Sequence, residues 1–92
     1  MASSSEAFAK FSTWKSFKTS LKVTVIEKGE SKEVLSGRID AIDEDASLVG
    51  ISLGIKRWRT FDVDGSIFSV EPTRVVATRD ESDWLVFEEL SN

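Results

Sequence analysis

Ser36–Ile51 reads SGRIDAIDEDASLVGI. Just before it Val34 and Leu35 are adjacent, and after Gly37 the apolar positions are Ile39, Ala41 and Ile42, so the strand alternation slips phase. A glycine inside a strand at such a slip marks a bulge or a sharp bend. The segment EVLSGRIDAID is therefore the second strand, bent at Gly37. Glu44–Ala46 forms a tight turn, and SLVGISLG is a third strand with Val49, Ile51 and Leu53 on one face.

On the N-terminal side, Phe17, Thr19, Leu21, Val23 and Val25 alternate with Lys18, Ser20, Lys22 and Thr24, which predicts a first strand over 17–27, with KGESK as the turn after it. Before that the period is helical. Ser3 followed by Glu6 fits a capping box, and Phe8, Phe11 and Trp14 share one face, which predicts a helix over about 4–15. With lysines flanking its aromatics, this helix either lies on a membrane or partner, or caps one open end of the barrel; its shortness and small net charge favour the cap.

On the C-terminal side comes KRWRTFDVDGSIFSV, Lys56–Val70. Asp64-Gly65 is a hairpin signal of type I′, and a two-residue loop there would place Val63 opposite Ser66, Phe61 opposite Phe68 and Arg59 opposite Val70. Phe61, Phe68, Val63 and Val70 then face the core, while Trp58, Thr60, Asp62 and Ile67 face away. Pro72 breaks the ladder, TRVVATR is another strand, RDESD is a charged linker, and WLVFEEL, apolar with no decisive period, either trails as an extension or folds back as an extra strand that covers an edge and keeps the chain monomeric. The expected core is Val23, Val25, Ile39, Val49, Ile51, Phe61, Phe68 and Val75. The fold predicted is mainly β: one domain over 1–92, with a helix, a small, strongly bent five-stranded antiparallel SH3-like barrel over about 17–79, and a C-terminal extension over 80–92.

Composition narrows the chemistry. The 92 residues contain no cysteine and no histidine, which removes disulfides, thiolate ligands, and the commonest general base and metal ligand. A disulfide-free small domain suits a reducing cytoplasm. The start lacks the cationic and apolar regions of a signal peptide, and no apolar run reaches membrane-span length. Asp43, Glu44 and Asp45 fall in a turn without the calcium-loop pattern, and no phosphate loop is present. The expectation is a binding protein rather than an enzyme, with no cofactor. Net charge is −4, spread unevenly: residues 1–28 sum to +3, 29–55 to −4, 56–79 to +2 and 80–92 to −5. The basic cluster Lys56, Arg57, Trp58 and Arg59 can grip phosphates and stack a base. Its alternative is a strand flank in which an arginine lies along Trp58 and pairs with a local carboxylate.

The run SGRIDAIDEDASLVGI resembles the first signature of the Sm-like proteins, the LSm- and Hfq-type small barrels. Gly37, Ile39, Ile42 and Asp43 match it, and Leu48 and Val49 continue it. Ser47 stands at that family's asparagine position, and Asp45 at the position that stacks a base in RNA-binding members. The second signature's arginine-glycine is replaced by Glu71, Pro72, Thr73 and Arg74, with Arg74 standing in for the arginine. The resemblance covers about residues 5–79. It implies a bent barrel, a homo-oligomer that can close into a ring through its edge strands, and single-stranded RNA as partner. Candidate contacts are then Ser47, Lys56, Arg57, Trp58, Arg59 and Arg74. The alternative function is a protein-interaction or structural module on the same barrel.

Overall fold

A computed structural model describes residues 3–90. Helix α1 spans Ser4–Ser16, and seven strands follow: β1 Leu21–Glu27, β2 Glu30–Asp43, β3 Leu48–Gly54, β4 Arg57–Asp62, β5 Ile67–Glu71, β6 Arg74–Thr78 and β7 Trp84–Glu89. They form one antiparallel sheet in the order β4-β3-β2-β1-β7-β6-β5.

The helix starts as the capping reading requires, with Ser3 Oγ accepting from the Glu6 backbone N–H at 3.2 Å. It ends in a Schellman arrangement. The Thr19 N–H donates to the Trp14 carbonyl and the Lys18 N–H to the Lys15 carbonyl, with Lys18 left-handed at φ 53°. This corrects the start of the first strand. Phe17 and Thr19 alternate as a strand would, but the helix cap consumes them, and β1 begins only at Leu21.

The five-stranded barrel is also corrected. The sheet has seven strands, and no ladder joins β4 to β5 to close it. It is nevertheless tightly curled. A flat sheet of seven strands is about 29 Å across, yet the link 63–66 joins its two edges and reaches at most about 18 Å. Only a rolled sheet satisfies both.

The expected two-residue turn forms, with the Ser66 N–H donating to the Val63 carbonyl at 3.2 Å, but no β4–β5 ladder extends from it. Phe61 pairs with Val49 and Phe68 with Ala77. A type I′ turn needs positive φ at both central residues, and at Asp64-Gly65 only Gly65 has it, at 73°. Asp62 Oδ1 accepts from the Asp64 N–H at 2.9 Å at the start of this turn. The two-residue turn with both residues left-handed is Lys28-Gly29, at 54° and 76°, which joins β1 to β2.

The bend in β2 lies where the phase slip puts it. Residues Glu30–Gly37 pair with β1 and Arg38–Asp43 with β3, while the extra residue of the bulge is Asp40, not Gly37. Gly37 has a different duty: a Cβ there would lie 2.3 Å from the Ser52 carbonyl oxygen.

WLVFEEL is not part of an extension. As β7 it lies between β1 and β6 near the middle of the sheet. All eight predicted core residues are buried, joined by Ala7, Phe8, Phe11, Trp14, Leu21, Val63, Ala77 and Phe87. Phe8, Phe11, Phe87 and Phe61 form a chain of edge-to-face contacts from helix to β4, with centroids 5.3, 5.1 and 6.0 Å apart. The helix thus closes the inner side. Lys10 donates to the Pro72 carbonyl and sits over the Trp14 ring, and Trp14 Nε1 donates to Glu89 Oε2 at 3.1 Å. No helix among the described residues is long and apolar enough to cross a membrane.

Candidate nucleic-acid interface

Antiparallel partners share a face of the sheet, so register shows which side chains stand together. On the outer face of β2, β3 and β4, one row is Arg38–Ser52–Trp58, and the next is Ala41–Gly50–Thr60. Trp58 is 62% exposed. It stands beside a trough floored by the small residues Ala41, Gly50 and Thr60. On the row's other side is an open cleft of about 370 Å³ whose lining includes Ser20, Ser36, Arg38 and Ser52. Among the described residues the Arg38 and Arg57 guanidiniums form no ion pair. Lys56 is exposed in the β3–β4 turn, left-handed at φ 58°. Trp58 and Arg38 therefore share one outer surface, while Arg57, the strand neighbour of Trp58, falls with Arg59 on the opposite face.

The other candidates lie elsewhere. Arg59 occupies the opposite face from Trp58. Its guanidinium grips Glu33 through two bonds of 2.7 and 2.6 Å and lies over Phe61, 5.5 Å from the centroid. The expected partnership of an arginine with a carboxylate and an aromatic is present, but the ring is Phe61 rather than Trp58. Arg74 pairs with Glu71 at 2.6 Å within its own hairpin, on β6 and far across the sheet from β4. Ser47 ends the β2–β3 turn at φ 56°, and its carbonyl accepts from the Val63 N–H at 2.9 Å. That turn lies at the end of β4 remote from Trp58, about 13 Å along the strand. Asp43 caps the same turn, with Oδ1 accepting from the Ala46 N–H, so this acid serves the backbone.

Arg38 was not singled out by the sequence reading, and the bulge explains why. Counting back from Asp43 opposite Leu48 without an extra residue turns Arg38 inward. The bulge at Asp40 reverses this, sending Ile39 into the core and Arg38 out beside Trp58.

The ion pairs leave a pH signature. The Glu33 carboxyl is held below the usual carboxylate range, first by its hydrogen bonds from Arg59 and then by that residue's charge. Asp80 is lowered by the Ser82 backbone N–H and hydroxyl that it accepts. A carboxyl with a depressed folded pKa stabilises the fold above its unfolded pKa and loses that contribution as pH falls through the folded value. Glu33→Gln is thus expected to be less stable than the parent at neutral pH, with the gap closing in acid. Denaturant unfolding across a pH series checks this, and a gap independent of pH would assign Glu33 a packing role.

The fold and site together define a helix-capped, curled antiparallel sheet that offers an open aromatic and basic face, and among the described residues no three carboxylates converge as metal ligands. No protein-family model matches the chain, and no curated protein or solved structure matches it either.

Proposed function

We propose that the chain is a non-enzymatic binding protein that takes single-stranded RNA on the outer face of β2–β4. The observation that carries this reading is Trp58, exposed on a strand in one row with Arg38, an arginine with no carboxylate partner among the described residues. A base stacked on the indole contributes about 1–3 kcal/mol. Arg38, with the hydroxyls of Ser36 and Ser52 nearby in the cleft, suits a phosphate, and the exposed Lys56 adds charge from the β3–β4 turn. Arg59 and Arg74 leave the contact set, because their charges are matched by Glu33 and Glu71.

The Sm-like resemblance adds a homo-oligomer to the proposal. Ring formation of that kind needs two unpaired edges, and β4 and β5 are the two edge strands of the sheet. A ring would repeat the Trp58 surface around one face and raise affinity through avidity, which offsets the repulsion from a net charge of −4.

Fluorescence anisotropy with a uridine- or adenine-rich labelled oligonucleotide at low salt tests the reading. Trp58→Ala is expected to weaken binding roughly 5- to 150-fold. Arg38→Ala should weaken it and lower the salt slope by about one. Arg59→Ala should leave affinity unchanged. Absence of binding by the parent protein would exclude RNA and leave a protein-interaction module. That second reading has its own support in the apolar outer face of β1, β7, β6 and β5.

A further inference from the structure

The outer face of the other half of the sheet has an unusual composition. Register places three rows across β1, β7, β6 and β5: Lys22–Glu88–Arg74–Glu71, then Thr24–Val86–Val76–Ser69, then Ile26–Trp84–Thr78–Ile67. Val34 of β2 extends the middle row beside Thr24. Helix α1 packs on the inner side through Phe11 and Phe87, so these rows lie on the side of the sheet away from the helix. A water-facing side of an antiparallel sheet normally carries polar residues. Here every residue of two of the three rows except Ser69 is β-branched or aromatic, with Val34 59%, Ile67 57% and Trp84 40% exposed. A contiguous apolar patch of this kind marks an interaction surface.

The charged row says what fits on it. Across the strands its signs run plus, minus, plus, minus. Read backwards, the row is its own complement. A two-fold axis parallel to the strands, between β7 and β6, lays β1 over β5 and β7 over β6 of a second copy. Glu88 then meets Arg74 and Val86 meets Val76 of the other copy, while the outward curl of the sheet carries Lys22, Glu71, Ile26 and Ile67 to the margins of the contact, each on the side of its complement. The alternative axis, across the strands, sets the charged row against Ile26 and Trp84 and is excluded by desolvation. Sheet twist rotates the two layers by about 30°, so the central pairs, Glu88 with Arg74 and Val86 with Val76, make the closest match. The intrachain bridges Lys22–Glu88, at 3.2 Å, and Arg74–Glu71, at 2.6 Å, keep the same side chains in this row.

We infer that two copies of this chain associate face to face through the outer side of β1, β7, β6 and β5, as an isologous dimer. This deepens the homo-oligomer reading, and it stands apart from RNA binding, since Trp58 lies on the other half of the sheet.

Light scattering over a concentration series tests the inference. The parent protein is expected to approach twice the 10.2 kDa chain mass, or an even multiple of the chain if edges also pair. Val86→Lys, at an outward half-buried position, should halve the assembly while circular dichroism stays unchanged. A second variant does not depend on weakening the face. Reversing the whole row, with Lys22→Glu, Glu88→Lys, Arg74→Glu and Glu71→Lys, keeps every intrachain pair and should preserve the homodimer. This protein should not exchange into dimers with the parent, where like charges would meet. A monomeric parent would overturn both the dimer and the homo-oligomer reading. An assembly unmoved by Val86→Lys, or free exchange between parent and reversed chains, would overturn the dimer face alone and leave assembly to the strand edges.

Discussion

Phe87→Ala is expected to cost about 3–5 kcal/mol of unfolding free energy, the range for removing a fully buried aromatic ring. Phe87 is fully buried, and it is the junction of the aromatic chain, touching Phe11 of the helix at 5.1 Å and Phe61 of β4 at 6.0 Å. Its backbone pairs with Val23 on one side and Val75 on the other. Truncation therefore opens a cavity between the helix and both halves of the sheet, and a paired central strand cannot shift to fill it. For a domain of this size the loss corresponds to a drop in Tm on the order of 20 °C. Calorimetry checks this; a loss below about 1 kcal/mol would mean that WLVFEEL does not hold the core together.

Gly37→Ala should cost about 3 kcal/mol, at the upper end for overpacking. The added Cβ would sit 2.3 Å from the Ser52 carbonyl oxygen and 2.8 Å from Ile51 Cγ2. One obstacle is backbone held in the β2–β3 ladder and the other is a core methyl, so neither can swing aside. Relief requires β2 to straighten where it changes partner from β1 to β3, and that loosens the curl of the sheet. At Gly29, by contrast, nothing lies within 4 Å, and only its φ of 76° resists a side chain, so Gly29→Ala should cost only about 1 kcal/mol. Urea unfolding of both variants decides the matter. Equal losses at the two sites would show that backbone conformation, not close approach, makes Gly37 necessary.

Much of this architecture is legible in short segments. The cap at Ser3, the helical spacing of Phe8, Phe11 and Trp14, and the alternation in β1 and β3 are effects between residues a few positions apart. They were enough to name eight buried residues and to place the bend in β2 at its glycine. The boundary between Trp14 and Leu21 is not legible locally, because a Schellman end and a strand both accommodate Phe17 and Thr19, and only the Thr19-to-Trp14 hydrogen bond separates them.

Strand order is a different kind of information. Asp64-Gly65 makes the tight turn its composition suggests, yet β4 and β5 stand at opposite edges, because β4 takes its ladder from β3 and β5 takes its ladder from β6. WLVFEEL has the same local pattern whether it trails in solvent or fills the gap between β1 and β6; the buried Phe87 and two complete ladders select the gap. The candidate site follows the same division. Trp58 and its basic neighbours are visible as a cluster of residue types. The pairing of Arg59 with Glu33, 26 positions away, and the arrival of Arg38 beside Trp58 through one bulged residue are not. Side-chain chemistry and local periodicity are carried by neighbours in the chain, whereas the face on which a charge emerges is set by register, which a single inserted residue reverses.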